Sequence, residues 1–527
     1  MQDFKYLNSV KKQKSASQNK TEGRCADFIR KTLSVTWTLL LVIYAGPSFS
    51  VGLSSTDTLS AGRQYNYSFG LGGIIASDAT PFWLRTNQFG VIPLKGPVLL
   101  PSAAIFSDYV HSKKWDWGFH LEAVGNIGNQ STLIIPEAHL KGRWGKLEIF
   151  AGRKRHIVGL LGDSLNTSGS YIQSGNSLPL PMVQIGFTDY ATIFNGLLGF
   201  RGNYAHGWFS ANPITKGHFL HQKSLYIRIG KPKWPVRLYG GFNHNVQWGG
   251  TIVMANKWHA PGQTTYPSKL IDYWYVISGK RIPTFGYVNP DEYDAIDRGN
   301  RIGNHLGTVD FALEIRLPKW TLMGYKQFVY DDGSLFQRIN LTDGLHGLAF
   351  KNRNPEGIRG FSLSGITLEY LQTSNQGGAH FDLDGGTRGS DNYFNHMQYY
   401  GWVQAGNTVG TPFIIPSTHS LPSLINPLNP YFFSANNRVQ MVHLGLNGRI
   451  NKMLFLAKLS FSHNLGMYDR PFPSAANQFS GLMRFELPVN LRKAGCIHYT
   501  LSVGHDQGDL YRNSFGAFLG IVKKGRL

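Results

Sequence analysis

The sequence predicts an all-β protein, a transmembrane antiparallel β-barrel. Three observations predict it: apolar and polar residues alternate in short segments along most of the chain, charged residues are only 16% of it, and glycine and aromatic residues are frequent. Soluble domains have roughly 25% charged residues. A barrel wall in a bilayer is apolar outside and tightly turned at its rims, which fits this composition.

The alternation is clearest near the carboxyl terminus. In Ile497–Gly504 the odd positions are Ile, Tyr, Leu and Val, and the even positions are His, Thr, Ser and Gly. Val309–Leu317 and Phe455–Phe461 repeat the pattern. Side chains of a strand point alternately to two faces, so each segment has one apolar and one polar face. A half-solvated soluble sheet gives the same pattern, but only a closed barrel pairs all of its backbone groups in a bilayer.

Other segments are assigned by the same rule. Strands are predicted around Ile105–His111, Trp117–Val124, Leu147–Ala151, Met182–Phe187, Leu197–Asn203, Leu225–Gly230, Val236–His244 and Ser514–Val522. In Phe361–Leu371 the apolar parity changes across Ser364-Gly365, which predicts a β-bulge. Long loops are predicted at Met254–Tyr273, Pro283–Asn304, Tyr330–Lys351, Thr373–Tyr399 and Gly406–Asn436. Strands joined by alternating short turns and long loops are typical of outer-membrane barrels.

The amino-terminal segment 1–50 predicts a signal peptide with a long basic start. Its apolar run Leu33–Ala45 has the length of a secretory core and is too short to span a bilayer. Gly46-Pro47 and Ser48-Phe49-Ser50 follow, as before a cleavage site. The barrel is assigned to 51–527. Segment 77–102 does not alternate at its start, where Thr80 and Pro81 predict a short helix, so this part is not expected to belong to the wall.

The net charge limits which partners the protein is expected to bind. The formal net charge is +21, and removal of 1–50 leaves +16, since that segment holds eight Lys/Arg and three Asp/Glu. A basic protein attracts nucleic acid, lipid phosphate or an acidic polysaccharide. No nucleic-acid-binding module is visible, so the expected partners are outer-membrane lipid and an acidic polysaccharide. The alternative that stays open is a set of lumen and loop charges with no partner. The cysteines are Cys25 and Cys496 alone, so a cleaved chain forms no internal disulfide.

No catalytic, metal-binding or cofactor motif is found, so no catalytic residue, metal or cofactor is expected. A Ser-His pair assembled only in three dimensions stays open as an alternative. Aromatic rings stack on the apolar C–H faces of sugars, and basic side chains attract acidic glycans. On that basis the candidate polysaccharide-binding residues are Arg153, Arg155, Trp248, Trp274, Tyr393, Tyr399 and Trp402. The competing interpretation is the aromatic girdle of a barrel, with basic residues that bind lipid phosphate.

Several segments, taken in order, carry a family resemblance: Thr80–Gly90, Gly159–Ser174, Phe242–Gly250, Asp272-Tyr273-Trp274, Gly303–Gly307, Asn436-Asn437-Arg438 and Gly508–Gly516. With these the chain resembles the capsule-assembly Wzi-type outer-membrane proteins, in the form found in Bacteroidetes. The resemblance implies a barrel of about 18 strands with an occluded lumen and a small periplasmic or lumen plug. Segment 77–102 is the candidate for that plug, with Trp83–Leu94 as part of it.

The resemblance also implies a function. Such proteins are lectins that help to attach capsular polysaccharide to the surface of a Gram-negative cell, and they are not enzymes. The expected partners then include the barrel-assembly machinery of the outer membrane. Two alternatives stay open at this point: a porin-type channel, and an outer-membrane lipase or deacylase.

Overall fold

The structure is a computed structural model that describes residues 62–110, 112–129, 131–160, 165–257, 259, 262–283, 292–331, 334–355, 360–380, 389–425, 430–491 and 495–527. The predicted signal peptide lies outside these residues. In the described part, eighteen antiparallel strands form one closed sheet in which each strand pairs with its neighbours in sequence. Closure comes from β1, which pairs with β2 on one side and with β18 on the other.

The strands have the following bounds: β1 Asn66–Ala76, β2 Val98–Ser107, β3 Trp115–Gly128, β4 Thr132–Trp144, β5 Leu147–Arg153, β6 Pro181–Phe187, β7 Leu198–Trp208, β8 Phe219–Ile229, β9 Val236–Trp248, β10 Asn304–Arg316, β11 Trp320–Asp331, β12 Gly344–Asn352, β13 Phe361–Gln372, β14 Val439–Ile450, β15 Met453–Gly466, β16 Pro471–Leu491, β17 Gly495–Gly508 and β18 Ser514–Arg526. The short piece Ala191–Ile193 continues β6 along β7. The α-helices of the described residues are α1 Phe82–Arg85, α2 Leu270–Ser278 and α3 Ala295–Gly299, and two short 3-10 helices span Ser417–His419 and Pro422–Leu424. None of the described helices is both long and apolar enough to cross a bilayer.

The two faces of the wall have the polarity that the alternation predicts. On β10, Phe311 and Leu313 are 55% and 41% exposed, whereas Asp310 and Ala312, which point to the other face, are 0% and 7% exposed. On β15, Phe461 is exposed and Ser460 and Ser462 are buried. The apolar side chains therefore face outward and the polar ones face the lumen, as in a barrel that hydrocarbon surrounds.

Connections at the two ends of the barrel differ in length. At the end where β1 begins and β18 ends, the connections have two to ten residues. At the other end they include 77–97, 154–180, 249–303 and 373–438. Outer-membrane barrels have short periplasmic turns and longer extracellular loops. The long-loop end is therefore the outer end.

The structure confirms the predicted β-bulge, since the register of β13 against β14 shifts between Leu363 and Gly365. It corrects several bounds. The strand predicted around Ile105–His111 is β2, which begins at Val98 and ends at Ser107. The predicted loop Tyr330–Lys351 contains β12, where Gly344 and Gly347 hide the alternation. Strand β18 runs to Arg526 rather than Val522, because β1 and β17 extend far enough to pair with its last residues.

The last residues of the candidate plug segment 77–102 belong to the wall, because β2 begins at Val98. The helix is α1, with Pro81 rather than Thr80 at its N-cap position. All four residues of α1 are buried. Of the two expected positions for the plug, the segment occupies the lumen, and it leaves the wall at the long-loop end.

Leu501→Arg should destabilise the barrel in lipid vesicles by about 2–4 kcal/mol, because Leu501 lies mid-strand on the outward face of β17. Gln507→Arg is the matched control on the same face of the same strand, close to the long-loop end, and should cost no more than about 1 kcal/mol. Urea titration of folding into vesicles measures both. Equal costs would contradict the assignment of the outward face.

Candidate functional site

The lumen is crossed by residues 165–177, here called the crossing segment. Lys154, which precedes this segment in the chain, pairs with Glu148 on β5. At its start, the Asn166 side chain donates to Asn447 Oδ1 on β14 at 2.7 Å. In a ring of eighteen strands, β5 and β14 lie half a turn apart. Lys154 and Asn166 are therefore held on opposite sides of the barrel.

Inward side chains of the wall hold the backbone of the crossing segment. Ser168 N donates to Glu369 Oε2 on β13 at 2.6 Å, and Lys458 Nζ on β15 donates to Thr167 O at 2.9 Å. The fit against β14 is tight, since a Cβ on Gly445 would lie 1.9 Å from Asn166 O. Buried backbone groups need partners, and here the wall supplies them.

The same segment is held on other strands too. Tyr171 N donates to Gln327 Oε1 on β11 at 3.0 Å, and Gln222 Nε2 on β8 donates to Gln173 Oε1 at 2.9 Å. Bonds to strands spread around the ring fix the segment across the whole width of the lumen.

Two further segments complete this filling. From above, the described parts of 389–438 pack on the crossing segment, where Trp402 Nε1 donates to Ile172 O at 2.7 Å. From the side of β16 and β17, helix α1 contributes Phe82, whose N–H donates to Asp506 Oδ2 at 2.7 Å, and Trp83, whose Nε1 donates to Ser460 Oγ at 3.1 Å. Aromatic and polar groups of all three segments thus form one buried interior.

The seven predicted sugar-contact residues do not come together; they lie in three environments. Arg153 lies on the outward side of β5, where its Nη1 donates to Ile135 O at 3.3 Å. Arg155 points into the lumen, 2.8 Å from Glu122 Oε2 and 3.9 Å from Glu137 Oε2. The wall separates the two arginines, so they form no joint anion site.

Tyr393, Tyr399 and Trp402 belong to the buried filling, with 1%, 0% and 0% of their surfaces exposed. Tyr393 Oη donates to Asp343 Oδ2 at 2.9 Å in a loop above the wall. Burial there raises the pKa of Asp343. Rings enclosed in this way stabilise the filling and have no free face for a sugar. The prediction that they stack on polysaccharide does not fit these positions.

Trp248 and Trp274 lie outside the wall. Trp248 is buried beneath α2, stacked on Tyr273 with ring centroids 5.1 Å apart. Trp274 on the same helix is 57% exposed. Only Trp274 among the aromatic candidates therefore offers an open ring.

A polar cleft of about 380 Å³ lies in the long loop 249–303 at the outer end. It is formed by 262–269 together with Asp272, Glu292 and Tyr293. Asp272 holds its base, since it accepts from Lys269 N at 2.7 Å and from Tyr293 Oη at 2.6 Å. At the mouth the exposed Lys269 bonds to Glu292, which raises the pKa of Lys269. Pockets for small ligands start at about 300 Å³, and amides, hydroxyls and a charged pair suit a polar ligand.

Three side chains on the lumen face, His120, Glu122 and Glu137, have donor atoms within 4.8 Å of one another, as metal ligands do. Arg155 pairs with both carboxylates from the lumen side. A guanidinium in this position supplies the positive charge that a cation would bring. The arrangement is that of an ion-pair network.

Sequence reasoning missed the cleft and three cationic positions, Lys223, Arg301 and Lys326. The cleft had no signal, because its walls come from loop backbone with no repeating pattern. Two of the cations did have a signal in the sequence, because Lys223 and Lys326 interrupt the apolar outward rows of β8 and β11.

The chain is similar in fold to solved outer-membrane barrels. Wzi of Escherichia coli, described as an outer-membrane protein involved in group 1 capsule assembly and as a carbohydrate-binding β-barrel, aligns over 86% of this chain and 83% of its own, with 14% identity and a TM-score of 0.55. OprD of Pseudomonas aeruginosa aligns over 88% and 95%, with 9% identity and a TM-score of 0.44. A BenF-like porin of Pseudomonas fluorescens aligns over 88% and 99%, with 10% identity and a TM-score of 0.42.

No family model matches the chain, and no curated protein matches it in sequence. The likeness to Wzi is one of fold, and it agrees with the closed barrel and the outward apolar face. The chain thus has the fold of an outer-membrane β-barrel.

Acid should weaken the packing of the loops around His218. This ring is buried in the loop 209–218, stacked on Phe209 at 4.7 Å, and burial lowers its pKa to about 3 from an ordinary 6.5. As pH falls from about 6.5 towards 3, the unfolded chain gains a proton there that the folded chain does not, so stability is lost over this window. His218→Phe should reduce the fall in melting temperature between pH 7 and pH 4.

The control is Gln507→Phe, which changes no titratable group, at an exposed position on the outward face of β17. It should leave the pH dependence of the melting temperature unchanged. Other buried histidines keep part of that dependence in His218→Phe, so the expected effect is a smaller slope. An unchanged slope would mean that His218 is accessible to protons in the folded protein.

Proposed function

We propose that this chain is an outer-membrane lectin of the capsule-assembly Wzi type, which binds capsular or other acidic polysaccharide and helps to attach it at the cell surface. The observation that carries the proposal is the crossing segment, which is bonded to inward side chains of wall strands from β8 to β15. A lumen filled in this way suits a binding protein better than an open pore. The involvement of the structurally similar Wzi in capsule assembly supports the proposal.

The polar cleft in the loop 249–303 is the proposed contact for sugar. It lies at the outer end, where polymer outside the cell is within reach. Its exposed Lys269 forms an ion pair with Glu292, and an acidic glycan competes with that carboxylate for the ammonium group. Asp272, 1% exposed, keeps the base of the cleft in place through two hydrogen bonds. Buried hydrogen-bonded groups of this kind give a site its shape before a ligand arrives.

The exported signal peptide, the location in the outer membrane of a Gram-negative cell and the absence of catalysis belong to the same proposal. The barrel-assembly machinery is its proposed partner during insertion. Loss of the protein should leave polymer synthesis intact and release polysaccharide into the medium. Unchanged retention of polysaccharide on the cell would contradict the proposed role.

Lys269→Ala together with Gln263→Ala should weaken binding of the extracellular polysaccharide purified from the parent cells by about tenfold, since the pair removes one charge and one amide from the cleft. Titration calorimetry on the full chain in detergent measures the affinity. Arg512→Ala is the control, because Arg512 is an exposed cation at the same end that pairs with Asp78 outside the cleft. Equal losses in both variants would indicate unspecific attraction by positive charge.

The porin alternative is tested by conductance in a planar bilayer. The unchanged protein should give no steady current. Gly445→Val should give frequent opening steps, because its side chain cannot fit 1.9 Å from Asn166 O and must push the crossing segment from β14. Gly73→Val, with no neighbouring atom within 4 Å, is the control. Steady current through the unchanged protein would favour the porin, and turnover of an acylated glycan would favour the lipase or deacylase.

A further inference from the structure

A large groove of about 1130 Å³ runs along the outer wall across β8 to β11. Its lower part is apolar, formed mainly by outward side chains such as Leu225, Leu238 and Phe311. Two glycines deepen it: a Cβ on Gly240 would meet Phe311 at 3.7 Å, and one on Gly324 would meet Leu348 at 3.5 Å, both ordinary contacts. The groove is deep there because glycines contribute no side chain to the outer surface of the wall.

The end of the groove nearer the long loops is cationic. Lys223, Arg301 and Lys326 line it. Each donates to a backbone carbonyl: Lys223 to Ile277 O in α2, Arg301 Nε to Gly279 O at 2.6 Å, and Lys326 Nζ to Leu341 O at 2.8 Å. Among the described residues that line the groove there is no aspartate or glutamate. Carbonyls orient the three cations without neutralising them, so the groove keeps their positive charge.

Helix α2 adjoins this cationic end, since Ser278 and Gly279 at its carboxyl end also line the groove. The helix is fixed to the outer wall by Tyr273, whose hydroxyl lies 2.9 Å from that of Tyr204 on β7. Its other face exposes Leu270 by 87%, Ile271 by 46% and Trp274 by 57%. An apolar face with a tryptophan, placed beside a lipid-facing wall, is typical of the boundary between hydrocarbon and head groups.

We propose that this groove binds lipid A, the phosphorylated and multiply acylated glycolipid of the outer leaflet. Acyl chains lie along Leu225, Leu238 and Phe311, and the phosphates lie at the cationic end. The order of the two parts matches a lipid whose head group faces the outer end of the barrel. The volume exceeds the usual upper range of about 1,000 Å³ for small-molecule pockets, as a ligand with several chains requires. The inference rests on the barrel and its orientation, and not on polysaccharide binding.

Two variants of the full chain test the two halves of the groove. Arg301→Gln with Lys326→Gln removes charge, and Gly240→Leu fills the apolar part from a position whose Cβ has ordinary clearance. Lys523→Gln, on the outward face of β18 at the short-turn end, is the control for charge. Native mass spectrometry of the detergent-solubilised protein, with bisphosphorylated hexa-acyl lipid A added, measures the bound fraction, and heat-modifiable migration confirms folding.

Lipid A should bind the unchanged protein at one site, and each groove variant should bind about tenfold more weakly or worse, while Lys523→Gln is unchanged. Monophosphorylated lipid A should bind the unchanged protein more weakly than the bisphosphorylated form. Equal binding by the unchanged and charge-removed proteins would overturn the proposal. Phosphatidylglycerol bound as tightly as lipid A would overturn it too, since any anionic lipid would then suffice.

Discussion

Closure of the wall between β1 and β18 is the constraint on which the rest of the structure depends. Their register runs without interruption from Asn66 opposite Arg526 to Ala76 opposite Gly516. Hydrocarbon offers no partner to a backbone amide, so an unpaired edge would be costly at every residue. With eighteen strands, closure also fixes the width, and barrels of this size leave a lumen wide enough for a water-filled channel. What occupies that lumen is therefore decided by the loops.

The inward polar side chains serve the segments that cross the lumen. Glu369 accepts the N–H of Ser168, and Lys458 donates to the carbonyl of Thr167. A segment without helix or strand structure carries backbone groups that need partners when buried. An aliphatic lumen face would leave them unpaired, and a water-filled one would leave the segment free to move. The polarity of the inner face and the irregular filling therefore depend on each other.

The barrel wall could be predicted from the sequence far better than the segments that fill the lumen. The alternation around Phe311 and Leu501 depends on the bilayer and is independent of distant contacts, so it could be interpreted locally. The bulge near Gly365 could be found for the same reason. The burial of Tyr393, Tyr399 and Trp402 could not be predicted, because the sequence around a loop aromatic is the same whether its ring lies on the surface or packs inside. Arg153 and Arg155 show a related limit: two residues apart, and at the end of a strand, they lie on opposite sides of the wall.

Charges on the outward face could have been given more weight. A lysine among apolar outward residues is costly in a bilayer, by about 2–4 kcal/mol at mid-depth and much less near the interface. Lys223 and Lys326 offset part of this cost through two backbone carbonyls, that of Ile277 in α2 and that of Leu341 in the connection between β11 and β12. A carbonyl lowers the cost without removing the charge. The remainder is offset only by an anion on the lipid side, which is why a phosphorylated lipid fits the position better than a neutral one.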